Sequence, residues 1–302
     1  MADAKGNVGS TRFALELEGE FGGWVPKVTS GGAHADLVAW AGGEKNIGTV
    51  RFEDLVLSCG PGMSNAFYSW VADACNNMAR GTRRMDGAIL TCDAQNKVLS
   101  RLEWNGGSIS AIGFPPLDVE SKNPAALTVK VSPRFTRTLS GDGTAVRSIF
   151  SRPRPWLGSA FRLEIDGLEV ACKRVARIRA ITISHDVRNV VVGSFFRDYQ
   201  NEPDGICLPN VVIVFTESSA HEFYEWFHDF VILGKNSASR EKNGSLEFLT
   251  PNMGSTLFSL QFNHLGIDQI TPASNLRGSD IRKVIVKMHW KGIRLGVPGV
   301  TT

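Results

Sequence analysis

Hydrophobic side chains recur at every second position near the start of the chain, at Phe13, Leu15 and Leu17, and again at Phe161, Leu163 and Ile165. Charged Glu16, Glu18, Arg162, Glu164 and Asp166 fall between or beside them. Period-two spacing predicts strands with one buried and one wet face. A different period follows in each half. Phe67, Trp70, Val71 and Ala74 are spaced i, i+3, i+4, i+7, as are Phe223, Trp226, Phe227 and Phe230, which predicts one amphipathic helix per half. Ser64 is placed to cap the first helix, and Ser219 with Glu222 has the spacing of a capping box for the second. Beyond the helices the pattern predicts strands over 88–92, 99–104, 108–114 and 127–135, then 246–249, 257–262, 267–270 and 284–290. Turn residues at 93–96, 105–107 and 251–254 separate them.

The two halves match segment by segment. Phe67-Tyr68-Ser69-Trp70-Val71 and Phe223-Tyr224-Glu225-Trp226-Phe227 are offset by 156, as are Leu55-Val56-Leu57 and Val211-Val212-Ile213. Leu102-Glu103-Trp104-Asn105 matches Leu260-Gln261-Phe262-Asn263 at an offset of 158. Leu127-Thr128-Val129-Lys130-Val131 matches Val284-Ile285-Val286-Lys287-Met288 at 157, and the opening strands match at 148. Order is kept throughout, and the change in offset falls after the first strand, where a loop absorbs an insertion. The expectation is a tandem duplication: a first β-barrel domain over 10–138, a linker over 139–157, and a second β-barrel domain over 158–294. The fold class is mainly β, two antiparallel barrels with one amphipathic helix each. The expected core is Phe67, Tyr68, Trp70 and Trp104 in the first copy and Phe223, Tyr224, Trp226 and Phe262 in the second.

A unit of about 150 residues that opens on F-x-L-x-L-x-G or F-x-L-x-I-x-G, continues through a variable segment and a strand, and carries an F-Y-x-W helix before its closing strands resembles the tail-tube family of contractile phages and extracellular contractile injection systems. The haemolysin-coregulated protein of type VI secretion shares that fold. The resemblance covers both halves. It implies barrels that assemble into sixfold rings and rings that stack into a hollow tube. The implied partners are further copies of this chain and neighbouring tube, hub or baseplate proteins. A usual tube subunit has one such domain and this chain has two. Three chains would close a ring of six barrels, suited to a tube base that meets a threefold spike. Six chains would place the second domain above or outside the ring. The segments 22–48 and 186–204 exceed the length of an ordinary structureless loop, so each is a candidate strand pair that a neighbouring subunit contacts.

Composition narrows the alternatives. The chain has 302 residues, 42% hydrophobic and 21% charged, with a net charge of +3. That charge gives no ground for nucleic acid as a specific ligand. Arg80, Arg83 and Arg84, and Arg174, Arg177 and Arg179, form basic clusters that read first as solvated faces and second as a candidate contact surface for an acidic partner. Five cysteines without C-x-x-C spacing argue against a disulfide framework or zinc knuckle and for buried thiols in a reducing compartment. Residues 1–12 contain no apolar stretch of a secretory signal, and no run approaches a membrane span. The expectation is cytoplasmic synthesis followed by incorporation into a phage-tail-like particle. His221-Glu222 lacks the second histidine of H-E-x-x-H, because position 225 is Glu. No nucleophile elbow and no phosphate-binding loop occurs. The sequence therefore predicts no catalytic residue, no cofactor and no metal. The competing reading is a monomeric double-barrel binding module that holds a ligand or partner in its long loops.

Overall fold

A computed structural model of the chain describes residues 11–39, 43–77, 83–146, 156–192, 198–273 and 282–299. The first half comprises β1 (Arg12–Leu17), β2 (Glu20–Val25), β3 (Lys27–Ser30), β4 (Ala33–Ala39), β5 (Lys45–Phe52), β6 (Leu55–Cys59), α1 (Asn65–Asn76), β7 (Met85–Cys92), β8 (Val98–Phe114), β9 (Leu117–Asp118), β10 (Leu127–Ser132) and β11 (Phe135–Ser140). The second comprises β12 (Phe161–Ile165), α2 (Glu169–Cys172), β13 (Val175–Ile178), β14 (Ile181–Val192), β15 (Asp198–Cys207), β16 (Val211–Thr216), α3 (His221–Phe227), β17 (Lys242–Leu249), β18 (Thr256–Pro272), β19 (Lys283–His289) and β20 (Gly292–Gly296). All pairings are antiparallel, and the fold is mainly β.

In the first unit the pairing order is β2-β1-β7-β8-β10-β6-β3. Strands β2 and β3 are consecutive and separated only by Pro26, which cannot donate to a ladder. The path thus returns on itself as a nearly closed barrel. In the second unit the order β12-β17-β18-β19-β16-β13 runs through the equivalent positions. Among the described residues it lacks a counterpart of β2. The short helix α2 stands there instead and packs on β12, so this barrel stays open between β12 and β13.

Two continuous strands, β8 and β18, replace four predicted ones. Asn105-Gly106-Gly107 does not end a strand as a turn would. Gly106 has φ 55°, a value glycine tolerates, and β8 bends there from one partner set to another. Its first part pairs with β7 and β11, its second with β10. The bend makes room for an indole. A Cβ on Gly87 would stand 2.3 Å from the Trp104 ring, and one on Gly107 2.6 Å from it. The ring lies between the two glycines, and its Nε1 donates to the Met85 carbonyl at 3.1 Å. The segment 127–135, predicted as one strand, divides into β10 and β11.

The helices supply the core. Phe67, Trp70, Val71 and Ala74 of α1 are fully buried. Ser64 caps α1, its hydroxyl accepting from Phe67 N at 3.2 Å. The predicted capping box of α3 does not form. Ser219 ends a 3₁₀ turn, Ala220 takes the cap position without a side-chain bond, and the Glu222 carboxylate accepts from Ala171 N instead. After Phe227 the helix widens into a π-helical turn over His228–Ile232. No helix among the described residues is long and apolar enough to cross a membrane.

Candidate assembly faces

The segments 22–48 and 186–204 hold strands rather than loops. In the first unit β4 and β5 form a two-stranded ribbon outside the barrel ladder. Its register places Ala33 opposite Phe52, Ala35 opposite Val50 and Leu37 opposite Ile47. Facing residues share a side, so one side of the ribbon is apolar from the Ala33–Phe52 pair to the Leu37–Ile47 pair, with Lys45 opposite Ala39 at its end. The other carries His34, Asp36 and Arg51, with Arg51 Nε 2.9 Å from Asp36. The apolar side is uncovered: Leu37 is 65% and Ile47 73% exposed. At its base Phe52 meets Phe135 of β11 edge-on at 5.2 Å.

The corresponding ribbon of the second unit, β14 with β15, is attached differently. Ile181, Thr182, Ile183 and Ser184 pair with Phe114, Gly113, Ile112 and Ala111 of β8. The second unit thereby adds a strand to the first unit's sheet. Three further contacts complete this joint. β9 pairs with β13, reinforced by an Arg177–Asp118 ion pair. Asn76, the last residue of α1, holds the backbone of β20: Leu295 N donates to its Oδ1 at 2.8 Å, and its Nδ2 donates to Leu295 O at 3.4 Å. Between them runs an aromatic seam, with Phe114 stacked on Phe248, Tyr68 against Phe258, and Trp156 edge-on to both Phe248 and Phe258. One hydrophobic core spans both units. His185, one residue past the paired stretch of β14, is buried, and its two ring nitrogens lack hydrogen-bond partners among the described residues. Desolvation lowers its pKa from the ordinary 6.5.

The side chains singled out in the sequence fall into separate places. Phe67, Tyr68, Trp70, Trp104, Phe223, Trp226 and Phe262 are buried. Tyr224 is not a core residue: it is 37% exposed on the outer side of α3. Trp70 Nε1 donates to Arg83 O at 2.8 Å, and Arg84 reaches Gly106 O at 3.0 Å. Arg84 thus braces the first barrel with its side chain, Arg83 contributes only its backbone carbonyl and is exposed, and Arg80 lies outside the described residues. Arg174, Arg177 and Arg179 are exposed around β13, where Arg177 is committed to Asp118. The part of the predicted linker that is described is attached at both ends. Ala145 bridges to Lys97, Leu157 to Pro124, and Trp156 is buried.

Charged side chains pair on the surfaces of both units. On the outer side of the first sheet, Arg101 binds Glu16 and Glu103, and Arg137 also binds Glu103 at 2.7 Å. These bonds lower the Glu103 pKa. In the second unit Glu241 accepts from Lys291 and lies 3.0 Å from His264 Nδ1; the lysine, chiefly, holds its carboxyl below the usual range. Cys59, Cys75, Cys92 and Cys172 are buried free thiols, and burial pushes Cys75 and Cys172 up to about 12. Such thiols are inert. Cys207 is exposed. Among the described residues no three His, Cys, Asp or Glu side chains are grouped to hold a metal ion.

No protein-family model and no curated protein matches the chain. Solved structures that resemble part of it include a chain of the anti-feeding prophage baseplate, with 8% identity and a TM-score of 0.35, covering 52% of this chain and 100% of that one. A chain of the anti-feeding prophage tube-terminating cap has 13% identity and a TM-score of 0.34, covering 52% of this chain and 96% of that one. Hcp1 from Flavobacterium johnsoniae has 14% identity and a TM-score of 0.29, covering 46% of this chain and 95% of that one.

Proposed function

We propose that this chain is a structural, non-enzymatic subunit that forms a ring of barrels in the tube or tube base of a phage-tail-like contractile injection particle. On this reading the chain is a tandem duplication with units over 10–138 and 158–294, and three chains supply six barrels. Its partners are other copies of itself and neighbouring tube, hub or baseplate proteins.

The observation that carries the reading is the β4–β5 ribbon. An isolated two-stranded ribbon is marginal in water, and a monomer gains nothing from presenting Leu37, Ile47 and Val50 to solvent on one side of it. Contiguous apolar surface of this kind marks a contact with another protein. The F-x-L-x-[LI]-x-G strands, the F-Y-x-W helices and the repeated pairing order support the same assignment.

Native mass spectrometry and negative-stain microscopy of the purified chain test it. Closed rings with threefold symmetry are expected. A chain that stays monomeric at every concentration and never enters a particle refutes it. A monomer that binds a ligand saturably would instead favour the double-barrel binding module.

A further inference from the structure

The joint between the two units uses one face of the first and a different face of the second, so it is heterologous. Such a contact leaves its complement unused at each end of the chain. Resting on the ring-forming reading above, we infer that the contact between chains repeats the contact within the chain: the ribbon strand β4 of one copy adds to the free edge of β18 in the next.

The repeat fixes the register. Leu57 and Ile213 stand opposite Val129 and Val286 on equivalent strands. Val28 pairs with Leu57, and Ile178 with Ile213. Counting five and six residues on from each of these, Ile183 and Ser184 occupy the places of Ala33 and His34. On the accepting side, Ile112 and Ala111 pair with Val129 and Lys130, as Ile270 and Gln269 pair with Val286 and Lys287. Both accepting strands carry an irregularity at the same place, beside Ser110 and beside Asp268. Within the chain Ile183 meets Ile112 and Ser184 meets Ala111. Between chains, Ala33 then meets Ile270 and His34 meets Gln269.

Burial agrees with a vacant complement. Ile112, covered by β14, is fully buried, whereas Ile270 is half-buried, and the second edge of β18 over 269–272 has no strand partner among the described residues. The helix contact repeats as well. Asn76 lies six residues after Trp70, and Ile232 lies six after Trp226. Leu295, which Asn76 holds, pairs with Leu260, as Thr138 of β11 pairs with Leu102. Ile232 of the copy that supplies β18 therefore faces β11 of the copy that supplies β4. Ile232 is 61% exposed with Leu233 beside it, and β11 presents Leu139 and Phe135, the latter already packed on Phe52, to either side of the ion-paired Arg137. The exposed side chains Ile232 and Leu233, at the end of the π-helical turn, and Leu139 of β11 are ones that the repeated joint would bury.

Disulfide trapping tests the register. In a Cys207→Ser background, a chain bearing His34→Cys is mixed with one bearing Gln269→Cys, and likewise Ala33→Cys with Ile270→Cys. Adjacent pairs across an antiparallel ladder alternate between wide and narrow, so one of the two has the closer spacing that a disulfide needs. After mild oxidation, a non-reducing gel should shift from a one-chain to a two-chain band. Val38→Cys mixed with Gln269→Cys, four positions out of register, should not shift. Rings under the microscope with no in-register cross-link overturn this contact and leave the ring-forming reading standing. A chain that forms neither rings nor cross-links overturns both.

Discussion

Replacing Ile232 by Asp separates assembly from folding. The side chain is 61% exposed in the single chain, so the fold loses little. Fully burying an isoleucine stabilises by about 1.5–3 kcal/mol, and the exposed share of that is about 1–2 kcal/mol per contact between chains. A carboxylate left facing β11 of the neighbour adds a desolvation cost of at least about 1 kcal/mol. The total of about 2–3 kcal/mol corresponds to a weakening of roughly 30- to 150-fold at each contact. Sedimentation velocity across a dilution series should show rings dissociating at correspondingly higher concentration. Thermal unfolding of the dissociated chain should be unchanged. Val170→Asp serves as the control, since Val170 is 68% exposed on α2, which has no part in the joint within the chain. Rings as tight as the wild type in Ile232→Asp, or equal losses in both variants, would refute the reasoning.

Trp70→Ala should lose about 3–5 kcal/mol, because the indole is fully buried and donates to Arg83 O; an unchanged urea midpoint and unchanged oligomer size would contradict its place in the core. Gly87→Ala should cost about 1–3 kcal/mol, since the new Cβ meets the Trp104 ring at 2.3 Å and Glu16 O at 2.6 Å. By contrast Gly60→Ala, with nothing within 4 Å, should be neutral or stabilising by up to about 1 kcal/mol, and parallel melts of the two variants decide. The buried His185 resists protonation in the folded chain more than in the unfolded one, whose value is near 6.5. Its contribution is therefore full above pH 6.5, declines below it, and is lost once the pH passes the lowered folded value. His185→Leu should flatten that limb in urea titrations between neutral and mildly acidic pH; curves that stay parallel to the wild type would show that the imidazole is not responsible. The carboxylate of Glu241, lowered by Lys291, acts in a separate window, with stability lost only as the pH falls below 4.5.

The elements with strong periods were legible in the sequence. Alternation at Phe13, Leu15 and Leu17 marks β1, and the spacing from Phe67 to Ala74 marks α1. Misreadings arose where local chemistry has two outcomes. A glycine with positive φ permits either a turn or a bend, and the Trp104 ring, invisible to local pattern, selects the bend at Gly106. Ser219 has the spacing of a cap, but the preceding 3₁₀ turn engages its hydroxyl with Thr216. Tyr224 sits between two core residues of α3 in sequence and points the other way on the helix. A strand pair within 22–48 is expected from the length of the segment, but its bounds and register were not legible because small residues such as Ala33, Ala35 and Gly48 blur the alternation. The assembly faces were the least legible. Which edges remain open depends on which ones the two units use on each other, and that is a property of the whole fold.

Joining the units through β8 and β14 also changes the arithmetic of encounter. In the proposed ring every second joint would be made in advance, inside one molecule, where the tethered partner is present at an effective concentration on the order of millimolar. A ring built from this chain has only half as many joints between molecules as it has barrels. On the ring-forming proposal, the concentration-limited steps fall on the β4–β18 joints alone.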